Sequence, residues 1–235
     1  MKVLQAVILL CLSIATGACG DTIAFASAPR EVVKPIFANA FLVSDPTTQK
    51  HYSSGSAIIL APGYALTAAH VIQTDVIKQG NSNIGTAIFI QQPSEAVPVT
   101  VVKIDKDKDL ALIKGNFDCP CATIHTGAID VDTKVITIGY PLYGLYKLQV
   151  LSEGALQGKY KTKLVTTAQA APGSSGGGVF IKTLRGYELI SVVEGIAASP
   201  GEFQAQIHAW LVFSTPTSEI MQFLQGSEAE FLINY

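Results

Sequence analysis

The sequence predicts an all-β fold built as sandwiches or barrels, and three observations lead there. Short apolar runs recur at a spacing of roughly ten residues, they are rich in Val, Ile, Thr and Tyr, and turn residues punctuate them. The runs fall at 37–43, 55–60, 64–67, 86–90, 97–104 and 110–114. After a stretch of Gly, Asn, Asp and Pro they resume at 135–139, 147–156, 164–167, 178–181, 189–196 and 206–213. Strands alternating with helices, the mark of βα units, are not what this spacing describes.

The end of the chain changes character. Ser214 or Thr215 can cap a helix with Pro216 in its first turn. Ile220, Phe223 and Leu224 then share one face, and Gly226 is a suitable stop. A helix is predicted over 216–226, with 227–235 as a tail. The chain of 235 residues is long enough for one large domain or two small ones. Its net charge is −2 and its 16 Lys and Arg residues form no cluster, which argues against a nucleic-acid partner.

The N-terminus predicts export. Lys2 precedes an apolar run over 3–15, broken only by Gln5 and Ser13, and Thr16, Gly17 and Ala18 then lead to Cys19. Residues 1–18 therefore read as a signal peptide and 19–34 as a tether. A small-residue site ending in Cys resembles a bacterial lipoprotein signal, with Cys19 lipidated as the mature N-terminus. Thr16 departs from the usual aliphatic residue, and plain secretion is the alternative. The expected location is the periplasm or cell envelope, with membrane contact only through that lipid. Cys119 and Cys121 read as a turn bearing two thiols, with a small-ring disulfide as the alternative. They are too few for a structural zinc site.

Three strings carry chemistry. His70 closes Leu66-Thr67-Ala68-Ala69-His70, at a strand end where small residues let the chain bend. A neutral imidazole there can take a proton from a hydroxyl near neutral pH. Asp109 opens the apolar strand 110–113, where a carboxylate must find a donor or suffer desolvation, and the His70 ring N–H is an apt one. Ser175 sits in Gly173-Ser174-Ser175-Gly176-Gly177, whose glycines permit a tight turn with amides aimed at a developing oxyanion. The amides of Gly173 and Ser175 are the candidate donors. His51, His125 and His208 lack comparable surroundings and read as structural.

Other readings of these strings are weaker. The acidic run 105–109 fails as a calcium loop, because Leu110 and Asn116 stand where Gly and Glu are needed; 105–108 reads as a solvated turn. Val179 stands where a phosphate loop needs Lys. The string around Ser175 also fits the G-x-S-x-G elbow of an α/β-hydrolase esterase. That fold would make His208 the base and would want a helix, not a strand, after the serine.

The three strings, in the order His, Asp, Ser, resemble those of chymotrypsin-like (trypsin-fold) serine proteases, nearest the bacterial glutamyl-endopeptidase and heat-shock-protease branches. The resemblance runs from about Phe37 to Leu224. It implies two six-stranded antiparallel β-barrels, the first over about 35–130 and the second over about 131–215, within a protease domain spanning 35–226. The site would lie between them. It also implies a serine endopeptidase acting on protein or peptide substrates without a cofactor, with His70 as base then acid, Asp109 orienting it and Ser175 forming the acyl-enzyme. Gln169 would lie near the base of the specificity pocket, and Glu194, Gly195 and Ile196 along its wall. A small or neutral first-site residue is expected.

The pattern departs from that family in places. Ser174 replaces the Asp that pairs with a freed N-terminus, so that activation switch is expected to be absent. Gly178 replaces a frequent Pro or Ala, which predicts a looser nucleophile loop. No peptide-binding domain is expected to follow the helix. A catalytically silent binding lipoprotein on the same fold is the remaining alternative.

Overall fold

The computed structural model describes residues 29–42, 44–72, 77–79, 82–142, 147–199 and 206–233. The predicted signal peptide, Cys19 and most of the tether lie outside them. Two sheets account for most of the described residues. The first contains β1 (Val33–Leu42), β2 (Asp45–Ala61), β3 (Tyr64–Thr67), β4 (Ile77–Gln79), β5 (Ser82–Gln91), β6 (Ala96–Asp105) and β7 (Leu110–Gly115). Its order is β1-β2-β3-β7-β6-β5, closed by β1 pairing β5, with β4 added outside as a hairpin on β5.

The second contains β8 (Thr123–Ile124), β9 (Lys134–Gly139), β10 (Val150–Tyr160), β11 (Lys163–Thr166), β12 (Gly178–Thr183), β13 (Gly186–Ser199) and β14 (Gln206–Pro216). Here β12 pairs β13 to close β12-β9-β10-β11-β14-β13, and β8 lies outside, parallel to β13. Each sheet is thus a closed six-stranded antiparallel barrel plus one accessory strand. Every apolar run read from the sequence overlaps a barrel strand, although 147–149 and 167 lie outside β10 and β11 and residue 43 lies outside the described residues. The connection 116–133 lies between the barrels, and its β8 joins the second sheet ahead of the expected boundary at 130.

The side-chain alternation of a strand explains why several runs are continuously apolar. In β2 and β7, Ala57, Ile59, Ala111 and Ile113 point into the first barrel. Their neighbours Ile58, Leu60, Leu110 and Leu112 face outward and meet Ile138, Phe180, Leu189 and Val192 of the second barrel. The second barrel has its own interior of Val135, Leu156, Leu164, Val179, Ile190 and Val212. Strands with both faces covered need no polar side.

The C-terminal helix, Thr217–Leu224, caps this seam with Ile220, Phe223 and Leu224, all buried. It starts one residue later than predicted. Pro216 is the cap position and neither Ser214 nor Thr215 caps it, because Ser214 is still in β14 and Thr215 Oγ1 donates instead to the Lys108 carbonyl at 2.9 Å.

Both expected ends of the domain need correction. Residues 29–34 are not tether: Pro29–Val32 forms a helical turn, and Val32 and Val33 are core. The tail after Gly226 folds back, with Ala229 fully buried and a 3-10 turn at Glu230–Ile233. Apolar side chains at 32, 33 and 229 outweigh the loop-like composition around them. Cys119 and Cys121 are bridged as a disulfide, contrary to the preferred two-thiol reading; their Cα atoms lie 4.5 Å apart, within bridging distance.

Candidate active site

His70 lies in a 3-10 turn, Ala69–Val71, directly after β3. Its ring is half exposed, while Asp109 is largely buried. Asp109 occupies the last position of the β6–β7 turn with φ +54°, a conformation that non-glycine residues seldom adopt. The preceding turn is tied by Asp105 Oδ1, which accepts the amides of Asp107 and Lys108 at 3.0 and 2.9 Å. That geometry aims both carboxylate oxygens of Asp109 at one residue. Oδ1 accepts the His70 backbone N–H at 2.9 Å and Oδ2 meets His70 Nδ1 at 2.7 Å. The hydrogen bond to Asp109 is the chief cause of a His70 pKa raised above its ordinary 6.5. Burial opposes it, and the charges of Asp109 and then Glu194 add to it. With Nδ1 engaged, Nε2 is the nitrogen left for a hydroxyl.

Ser175 lies in the turn before β12, and the first barrel shapes that turn directly. The Ser56 N–H donates to the Ser175 carbonyl at 2.8 Å, and the buried Ser56 Oγ donates to the Gly173 carbonyl at 2.9 Å. Gly176, at φ +79°, leaves no room for a Cβ between the Ser56 carbonyl, Thr67 Oγ1 and the Ala68 amide. The turn is therefore pressed against segment 67–71, which carries His70. Ser175 Oγ itself donates to the Glu194 carbonyl at 3.2 Å, and no hydrogen bond joins it to His70 among the described residues.

The neighbouring amides divide cleanly. Those of Ser174, Gly176 and Gly177 donate to the carbonyls of Ala171, Val193 and Ser174. Among the described residues, the amides of Gly173 and Ser175 donate to no group of the chain. Ser174 is buried, and its Oγ accepts the Ala171 amide at 3.3 Å, a local bond in the position where an activation switch would need an acid. Gly178 is buried in β12, and the Phe180 ring fills the space a Cβ would need.

The residues expected around a specificity pocket behave differently from one another. Gly195 faces open space, and Ile196 packs against the interior of the second barrel. Glu194 is the extra residue of a β-bulge between β13 and β14, so its side chain leaves the strand face and pairs with Lys163 Nζ at 2.6 Å. Gln169 is exposed, its amide donating to Ser152 Oγ at 2.9 Å, and no hydrogen bond ties it to Glu194, Gly195 or Ile196.

His208 meets Ser199 Oγ at 2.8 Å on β14. His125 and Glu188 form a separate pair at 2.6 Å, with Thr183 and Arg185 on the other carboxylate oxygen. Ser56 was missed in the sequence, where a polar residue inside an apolar strand was the available signal. No group of three or more metal-ligating side chains occurs among the described residues.

The sequence profile of the trypsin-like peptidase domain matches residues 55–185, more than half of the chain. The chain belongs to the trypsin-like peptidase family. The match takes in His70, Asp109 and Ser175. This trypsin-like peptidase domain is similar in fold to the HtrA-type protease AlgW with a tripeptide, at TM-score 0.63 and 22% identity over 87% of this chain and 64% of that one. It is likewise similar to the serine endoprotease from Yersinia pestis, at TM-score 0.60 and 21% identity over 87% and 64%. The chain spans less than two thirds of the length of those proteins. No curated protein matches it.

Proposed function

We propose that the protein is an exported serine endopeptidase that hydrolyses peptide bonds through an acyl-enzyme on Ser175. The observation that carries this is the two-point grip of Asp109 on His70, beside a serine turn with two amides left over. Asp109 holds the proton on Nδ1, so Nε2 is the basic nitrogen. In this reading the Ser175 hydroxyl leaves the Glu194 carbonyl and turns to Nε2. Oγ then attacks the scissile carbonyl while its proton passes to His70. The oxyanion receives the amides of Gly173 and Ser175, a contribution of about 3–4 kcal/mol per donor in comparable sites. Collapse breaks the C–N bond and His70 returns the proton to the leaving amine. Water repeats the sequence to free the enzyme.

Peptides suit such a site, since Gly195 leaves the bulged strand open and the AlgW neighbour was solved with a tripeptide. A small or neutral first-site residue is our reading of a site with no acid at Gln169. Strong selection for Arg or Lys on a peptide library contradicts it. Residues 1–18 would direct export and Cys19 would carry the lipid; fatty-acid labelling lost in Cys19→Ser tests both. The whole reading is tested by cleavage of an unfolded protein substrate. His70→Ala and Ser175→Ala should each abolish turnover and His208→Ala should not. Loss only in His208→Ala indicates the esterase arrangement, and a folded protein with no turnover indicates a binding role.

A further inference from the structure

The turn that carries Asp109 is gripped from the second barrel by one ammonium group. Lys163, at the start of β11, is largely buried. Its Nζ donates to the Lys108 carbonyl and to Thr215 Oγ1, each at 3.0 Å. Thr215 Oγ1 passes a second hydrogen bond to the same Lys108 carbonyl at 2.9 Å. The peptide just before Asp109 thus receives two donors from the opposite barrel. The Lys108 ammonium points elsewhere, to Glu219 and Gln222 of the C-terminal helix.

The third partner of Lys163 is Glu194, whose Oε2 is closed to solvent and lies 2.6 Å from Nζ. The contact is off the direction of a well-formed hydrogen bond, so it is an ion pair. The carbonyl of the same Glu194 accepts the Ser175 hydroxyl. One cation therefore touches both the turn of the acid and the strand facing the nucleophile.

Two carboxylates bear on His70: Asp109 from the β6–β7 turn and Glu194 from the β13 bulge. The Ser175 turn brings no charge, Lys108 is committed to Glu219, and Lys163 from β11 is the cation set against Glu194. Without that cation, the Glu194 carboxylate would favour the protonated ring in the pH range where a base must be neutral.

We infer that Lys163 is a positioning residue of the site, holding the Asp109 turn to the second barrel and offsetting part of the charge that Glu194 brings to it. Its consequence for rate rests on the peptidase reading above, but the His70 titration is readable without activity. The test follows the His70 imidazole by NMR across pH in the intact protein, in Lys163→Met, Lys163→Arg, Glu194→Gln and the Lys163→Met/Glu194→Gln double variant. Because the Thr215 hydroxyl still donates to the Lys108 carbonyl and keeps the Asp109 turn in place, Lys163→Met should titrate at higher pH, with the ratio of protonated to neutral ring about threefold above wild type at a given pH. Glu194→Gln should titrate lower, Lys163→Arg close to wild type, and the double variant should lose the upward move.

An unmoved titration in Lys163→Met, with only thermal stability reduced, makes Lys163 a structural strut and overturns the inference. Should Lys163→Met not fold, Glu194→Gln decides alone: a lower midpoint supports the inference and an unchanged one overturns it. Failure of wild type to turn over substrate would sink the peptidase reading while leaving this result intact.

Discussion

Asp109 stands at φ +54°, a strained position for a residue with a Cβ, because that backbone turn directs both carboxylate oxygens at His70. Asp109→Asn keeps the shape but offers the ring an amide, allowing the wrong tautomer. Turnover should fall roughly 10³–10⁴-fold with thermal stability changed far less, as read from kcat and a melting curve. The pH dependence follows from the raised pKa of His70. The base must be neutral, so activity should be low at and below pH 6.5 and climb above it.

Stability should move the other way. Protonated His70 paired to Asp109 contributes fully below its unfolded pKa, and the contribution fades as pH rises through the higher folded value. The gap in melting temperature between wild type and His70→Gln should therefore be wider at acidic than at alkaline pH. These residues were legible because each sat in a diagnostic string. Lys163 and Thr215 were not, since their partner is a backbone carbonyl supplied by a turn far away in sequence.

The nucleophile turn depends on two glycines for different reasons. Gly176 has both a left-handed φ and a backbone carbonyl where a Cβ would go. Gly176→Ala should cost about 2–4 kcal/mol and push Ser175 away from the His70 segment, read as lower melting temperature and lost turnover. Gly178→Ala should cost about 1–3 kcal/mol by displacing the buried Phe180 ring, with turnover better preserved.

The strands were readable from their apolar runs, because barrel strands bury at least one face and punctuate with turns. The accessory strands β4 and β8 were not: each is very short and is held by its neighbour's edge. The helix start was misread by one residue because the Thr215 hydroxyl has a tertiary partner, which no local capping rule anticipates.

Beside its own interior, each barrel contributes side chains to a core at the seam. Side chains from β2, β3 and β7 interlock with those from β9, β12 and β13, and Phe223 of the helix closes the cluster. Phe223→Ala should cost about 3–5 kcal/mol, and both barrels should melt in one transition, because the lost contacts lie at the seam. Separate melting of the halves in calorimetry would contradict a shared core. Pairing of the halves was foreshadowed by the wide spacing of His70, Asp109 and Ser175, and the barrel count by family resemblance. The seam itself was hidden, since a run such as 110–113 shows no sign of which side chains face which barrel.

If this seam assembles a reactive serine from parts on both barrels, a fluorophosphonate probe reads it directly. Intact-mass and peptide analysis should find one adduct, on Ser175, formed faster above pH 6.5 and absent in Ser175→Ala and His70→Ala. A folded wild-type protein that takes up no probe, or takes it up equally well without His70, would mean that His70 does not activate Ser175.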